Sequence, residues 1–240
     1  MANLTQLKML ENLNAVLLID KPAGIAFSTV VKTVKRKFNL VKVGHGGSLD
    51  TAASGLLVLL INDANKYVGD IMGADRAYSG TMRLGMKTNT GDTHGEAVPL
   101  PPTATPVPAR IDDAIVKEFE GDIFQTEPRY CSVRREGSAD YEIADTGEHK
   151  PSLVHVWDFK PGEVLGTTLP FEVSATKGLI VRALVSDFGD AMGCGAALEA
   201  CRRTRLASFK VEDAIKFSEL LEKGIGDFAS CTIPLAKALR

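Results

Sequence analysis

No run in this chain reaches the ~18 consecutive apolar residues that a membrane-spanning helix requires. The stretch Gly55 to Ile61 has only the length of a buried strand. A soluble protein without membrane contact is expected. The opening residues, Met1 to Lys8, lack the charged start and continuous apolar core of a secretory leader, and acidic Glu11 and Asp20 follow soon after. The expected location is therefore the cytoplasm. Cysteine and histidine are scarce: Cys131, Cys194, Cys201 and Cys231 form no CxxC pair, and His45, His94, His149 and His155 show no ligand spacing such as HxxxH. Reduced thiols and no metal site are expected. Excess positive charge is missing too, with a formal net charge of −2 and a pI near 6.1. That balance argues against a broadly basic nucleic-acid binder, because phosphate neutralisation drives most such binding. Any nucleic-acid surface must be local. The candidates are Lys32, Lys35, Arg36 and Lys37; Arg134 and Arg135; and Arg202, Arg203 and Arg205, each of which taken alone reads more simply as a solvated face.

What the sequence does hold is enough apolar material for a core, 45% of 240 residues against 24% charged. One extended domain over residues 1–240 is expected at that length. Ala15 to Asp20 is an apolar run ending at Lys21-Pro22-Ala23-Gly24, so a strand should run into a turn. Ser28 then looks like a helix N-cap, and Val30, Val31, Val34 and Phe38 at helical spacing predict an amphipathic helix over 29–38. Asp63 is expected to cap a helix over 64–72, and alternation from Tyr78 to Gly85 predicts a half-buried strand. Five prolines between Pro99 and Pro108 allow only an extended connection. It leads into a helix with Ile111, Ile115, Val116 and Phe119 on its apolar face and Gly121 just past its end. Glu127 to Lys150 is polar and partly basic, which predicts a long surface excursion of the kind that often binds. Leu153 to Phe159 and Leu169 to Ala175 read as strands, and Val181, Leu184, Val185 and Phe188 as a helix face. Strands and helices interleave without repeats or heptads, so the expected class is mixed α/β or α+β.

The most unusual segment is the polar, glycine-rich loop from Gly44 to Gly55, which carries Asp50. A carboxylate there has two physical readings. It can cap the Thr51-Ala52-Ala53 segment, or it can stand as a nucleophile where bare backbone lets a substrate approach closely. A phosphate cradle is a poor third, since no lysine follows Gly47 or Gly55 as GxxxxGK[ST] would demand.

Several segments follow one another over about residues 15–215: Lys21-Pro22-Ala23-Gly24; Gly44 to Asp50 with Ala53-Ser54-Gly55; Tyr78; Leu84 to Asp92; Gly121 to Gln125; and Pro128 to Gly137 with Tyr141, Ala144 and Gly147. Thr176-Lys177-Gly178, Arg182, Asp187, Gly189, Gly193 to Ala196 and Arg202-Arg203 complete the series. In that order they resemble the TruB branch of pseudouridine synthases, which includes the catalytic part of dyskerin. The first resembles the KPxG motif, the second the GHxGxLDxxAxG motif with its catalytic aspartate, and Leu84 to Asp92 the LGxxTxTxD stretch. The last group is similar to the SKGTYIRxLxxDLG and GCGA…LRR motifs.

The resemblance implies a central mixed, mainly antiparallel sheet flanked by helices, an RNA-contacting insertion at about 99–150, and an active site in a basic cleft. The implied activity is isomerisation of the T-loop uridine of tRNA, with no cofactor, the tRNA T arm as partner, and a monomer. Asp50, Arg182 and Tyr78 would be catalytic: the nucleophile, its cationic partner, and the residue that stacks on the uracil. His45, Lys21, Lys177, Arg134, Tyr141, Arg202 and Arg203 would serve the substrate, His45 by supporting the rearranged loop and Arg202-Arg203 by holding phosphates. Departures from the pattern are Ile180 in place of a tyrosine, Gly46 in place of a common threonine, Thr51 in place of a proline, and Arg134 in place of a lysine. They leave the nucleophile intact and keep open the alternative of a non-catalytic tRNA-binding or RNA-folding factor. Ile233 to Leu239 resembles the segment that closes the catalytic domain. Without the C-terminal PUA domain of longer members, more local RNA contact is expected.

Overall fold

The apolar runs at 15–21 and 54–61 become paired strands whose two faces are both covered, which is why they read as continuous rather than alternating. The computed structural model describes residues 10–126 and 151–238. In chain order come β1 (Ala15–Lys21), helix α1 (Phe27–Lys37), β2 (Val43–His45), β3 (Ser54–Ile61), a 3-10 segment (Asn62–Tyr67), α2 (Val68–Gly73) and β4 (Arg76–Leu84). The short β5 (Lys87–Thr88) and β6 (Ala97–Val98) follow, then α3 (Asp113–Glu118), β7 (Gly121–Gln125), β8 (Ser152–Pro161), β9 (Thr168–Ala175), α4 (Val181–Ala191) and β10 (Ala196–Leu206). The last elements are β11 (Phe209–Lys210), β12 (Ile215–Lys216), α5 (Phe217–Glu222), β13 (Ile233–Pro234) and α6 (Leu235–Ala238). Two compact units result, residues 1–74 with 202–240 and residues 75–201.

In the first unit β1 runs antiparallel to β3, from Ala15 opposite Ile61 to Lys21 opposite Gly55. The second half of β10 joins β3 in parallel, with Arg203 opposite Gly55. Leu17, Ile19, Leu57 and Leu59 pack on one side with Val30 and Val34 of α1, Phe38 and Phe228. Val16, Leu18, Leu56 and Val58 pack on the other with Ala64, Ile71, Leu206 and Phe209. Each such burial stabilises the fold by roughly 1.5–3 kcal/mol, so slippage of β1 against β3 would cost both faces at once.

Two expected caps fall elsewhere. Helix α1 starts at Phe27 with Ala26 at its N-cap and no side chain closing it, so Ser28 lies inside the first turn. Asp63 sits within the 3-10 segment, and the α-helix proper starts only at Val68. Asparagines end the strand instead. Asn62 takes a left-handed φ of 51°, and its Nδ2 donates to the carbonyls of Leu10, Glu11 and Leu13. Asn65 Nδ2 reaches the carbonyls of Leu60 and Asn62.

In the second unit β4, β9, β8 and β7 are joined antiparallel in that order, and Tyr78 stands opposite Val173. Met82, Leu84, Phe171 and Val173 pack with Leu184, Val185 and Phe188, the α4 face anticipated from its spacing. Phe119 and Phe159 meet Phe188 edge-on at 5.2 and 5.0 Å between ring centroids. Asp112 caps α3 by accepting from the Ala114 N–H at 2.9 Å. The pairing is mixed and mainly antiparallel, with β1–β12 and β3–β10 the parallel pairs. The class is thus the mixed one expected. Among the described residues no helix is long and apolar enough to cross a membrane.

Candidate active site

The Asp50 loop is held by main-chain carbonyls and two buried cations. Leu49 and Ala53, each 6% exposed, anchor it on either side of Asp50, which is half-buried. The Asp50 carbonyl accepts from the Ala53 N–H at 3.1 Å, so the turn is closed by backbone. The neighbouring Lys21-Pro22-Ala23-Gly24 turn ties itself to the same loop: the Gly24 N–H donates to the Thr51 carbonyl at 2.8 Å. Lys21, at the end of β1, is fully buried and donates from Nζ to the carbonyls of Pro22 and Ile25, both at 2.8 Å, and of Thr51 at 3.4 Å. Burial pushes its pKa down to about 8; the Asp50 carboxylate acts to raise it and the Arg203 guanidinium to lower it further.

Arg203 is 1% exposed. Its Nε donates to the Leu56 carbonyl at 2.8 Å, Nη1 to the Ser48 carbonyl at 2.9 Å and Nη2 to the Gly47 carbonyl at 3.4 Å. The expectation that Arg203 holds phosphate therefore gives way: its guanidinium faces inward and shapes the loop that carries Asp50. Glycine at 55 makes this approach possible, since a Cβ there would lie 2.3 Å from the Arg203 carbonyl oxygen and its φ is +102°. Arg202 points the other way and forms a bidentate pair with Asp20, both bonds at 2.8 Å. At 39% side-chain exposure it remains accessible.

His45 ends β2, where its Nδ1 accepts from the Gly47 N–H at 3.3 Å and its ring meets Phe27 edge-on at 4.9 Å. An accepting Nδ1 leaves the proton of the neutral ring on Nε2. Gly46, where a threonine is common in the resembling family, has no room for a side chain: a Cβ would fall 2.4 Å from Cγ2 of Ile71.

The second unit carries Tyr78 and Arg182. Tyr78, on β4, is 8% exposed and packs in that unit's core. Arg182 occupies the first turn of α4 and is 6% exposed. Its Nη1 donates to the Thr90 carbonyl at 3.0 Å and lies 3.7 Å from Oδ2 of Asp92. The Leu84 to Asp92 stretch is built to present those acceptors. Asp92 Oδ1 accepts from the Thr90 hydroxyl at 2.9 Å and the His94 N–H at 3.0 Å, which leaves Oδ2 for Arg182. Thr88 donates its hydroxyl to the Asp92 carbonyl at 2.6 Å. Asp92 was visible in the sequence only as a motif letter; its pairing with Arg182 joins residues 90 apart and no spacing rule reaches it. Lys177 is exposed in the turn before α4. Arg134 and Tyr141, with the rest of the expected 127–150 excursion, lie outside the described residues.

Comparison with known proteins fits this arrangement of motifs. Residues 35–181 match the family described as TruB family pseudouridylate synthase, N-terminal domain. Residues 182–227 match the tRNA pseudouridylate synthase B C-terminal domain. The chain is 36% identical over 215 residues to tRNA pseudouridine synthase B of Aromatoleum aromaticum, covering 86% of this chain and 68% of that protein. A crystal structure of a Cbf5-Nop10-Gar1 complex contains a similar chain, with 26% identity, a TM-score of 0.72, and coverage of 97% of this chain and 63% of that one. An H/ACA RNP bound to a substrate RNA containing 2′-deoxyuridine contains another, with 25% identity, a TM-score of 0.67, and coverage of 93% and 60%. The chain thus spans less than two thirds of those structural neighbours.

Proposed function

This chain belongs to the TruB family of pseudouridylate synthases, isomerases that act on uridine in RNA, and we propose that it converts the T-loop uridine of tRNA to pseudouridine with Asp50 as nucleophile. The observation that carries the proposal is the Asp50 loop. Within the matched segment, it is clamped by Arg203 and Lys21, and its one carboxylate, on a half-buried residue, lies within the electrostatic reach of the Lys21 ammonium.

The reaction breaks the glycosidic carbon–nitrogen bond, turns the uracil over, and forms a bond from the same ribose carbon to carbon 5 of the base; carbon 5 loses its hydrogen as a proton and the freed ring nitrogen takes up a proton. Atoms are conserved and nothing is oxidised, so the chemistry calls for no cofactor. A carboxylate can act as nucleophile in such a bond exchange, as in retaining glycosidases. It must be ionised, and cations favour that form. Lys21 supplies one positive charge near Asp50; Arg182 is assigned as its cationic partner during turnover. Tyr78 is assigned to stack on the uracil and assist loss of the carbon 5 proton.

The base must leave its loop, at a cost of a few kcal/mol that contacts elsewhere offset. His45 is assigned to support the rearranged RNA loop, and Lys177, Arg134, Tyr141 and Arg202 to hold the T arm. Such binding weakens steeply with salt. The test is release of tritium from a tRNA transcript carrying uridine tritiated at carbon 5. About one tritium per tRNA should be lost, and changing the T-loop uridine to cytidine should abolish the release. Salt-dependent binding of tRNA without any release would instead favour an RNA-binding factor whose Ile180 departure has cost it turnover.

A further inference from the structure

We infer that Gln125 is a positioning residue for Arg182, an inference that rests on the synthase reading above. The described residues bury five polar side chains: Lys21, Thr88, Gln125, Arg182 and Arg203. Lys21 and Arg203 hold the Asp50 loop of the first unit, and Thr88 and Arg182 meet at the Asp92 turn of the second. Gln125, at the end of β7 and 1% exposed, is the fifth and has no role in that account.

Its carboxamide grips a single residue at two points. Oε1 accepts from the Ile180 N–H at 3.0 Å, and Nε2 donates to the Ile180 carbonyl at 3.3 Å. A buried amide must find partners for its polar atoms, so a leucine would fill this space at less cost were filling all that mattered. Ile180 is the N-cap residue of α4, with φ −100° and ψ 98°, and no side chain caps the helix there. The usual Ser, Thr, Asp or Asn cap is absent, and Gln125 holds the entry of the helix from outside. Arg182 follows two residues later, and its bond to Thr90 and approach to Asp92 depend on where that first turn starts.

The other end of Gln125 is firmly seated. Its backbone pairs with Ser152 across β7 and β8, and the Ser152 hydroxyl lies 3.4 Å from the Gln125 carbonyl oxygen. The grip therefore refers the start of α4 to the sheet. Reacting groups tolerate little misplacement, since about 1 Å can cost two orders of magnitude in rate.

The experiment uses the full chain with two variants, Gln125→Leu and Gln125→Glu, each assayed for kcat by tritium release, for affinity by anisotropy of a labelled T-arm stem-loop, and for folding by thermal melting. Gln125→Leu should melt cooperatively, bind RNA within about twofold of wild type, and lose at least about tenfold in kcat per folded molecule. Gln125→Glu supplies a readout that loss of stability alone does not move. Protonated, a glutamic acid offers one acceptor and one donor as the amide does; ionised, it sets a negative charge against the Ile180 carbonyl. Its kcat relative to wild type should rise as pH falls from about 8 to about 6 with the folded fraction held constant. Wild-type kcat per folded molecule in Gln125→Leu, or a Gln125→Glu profile parallel to wild type, overturns the inference and leaves the synthase reading standing. A wild-type chain that releases no tritium overturns both.

Discussion

Arg203 donates to the carbonyl of Ser48 at 2.9 Å across 155 residues of sequence, so an arginine near the end of β10 fixes the loop two residues before Asp50. The guanidinium satisfies three carbonyls at once in a fork that only arginine provides.

Arg203→Lys should therefore fail despite keeping the charge. A lysine cannot span the same three acceptors, and the unpaired carbonyls should destabilise the fold by on the order of 2–3 kcal/mol. Urea denaturation measures that loss. Tritium release should fall by about tenfold or more per folded molecule, because the Asp50 loop loses its clamp.

Lys21 predicts opposite pH trends for stability and activity. Its folded-state pKa of about 8 lies below the ordinary 10.5, so between those values the unfolded chain binds more protons than the folded one. Stability contributed by this group therefore rises with pH across about 8 to 10.5, as the penalty for a buried ammonium is relieved. Activity should decline over the same rise, because the ammonium beside Asp50 is lost. Denaturation and tritium release measured at about pH 7, 8 and 9 check both signs. Lys21→Met should remove the decline that begins near pH 8 and give a lower, flatter profile.

Asp92→Asn keeps an acceptor for Thr90 and His94 but removes the negative charge 3.7 Å from Arg182. A kcat reduction of about tenfold or more is expected, with RNA affinity within about twofold of wild type, since the change alters how the guanidinium is held rather than the RNA surface. Single-turnover tritium release separates the two effects. An equal loss in affinity would assign Asp92 to binding.

Where side-chain period decides the outcome, the sequence was readable. The helix face at Val181, Leu184, Val185 and Phe188 and the apolar runs in β1 and β3 follow from which residues must be buried. Caps were less legible, because Ser28 and Asp63 are competent capping residues that local backbone passes over in favour of Ala26 and the asparagine bonds at Asn62. Strand β10 carries Arg202, Arg203 and Arg205 among apolar residues and was read as a basic motif, since the order of residues does not say which arginine points inward. The motif around Asp50 was legible as a pattern. Its support was not, because the bonds from Lys21 and Arg203 join positions far apart in sequence through carbonyls that carry no side-chain signature.

The carboxylate at position 50 is the group proposed to do the chemistry. The most direct measurement is tritium release from an unmodified T-arm stem-loop by wild type and by Asp50→Asn, with stem-loop affinity measured alongside. The predicted result is turnover by wild type and no detectable release by Asp50→Asn at comparable affinity. Full release by the Asn variant would contradict the account.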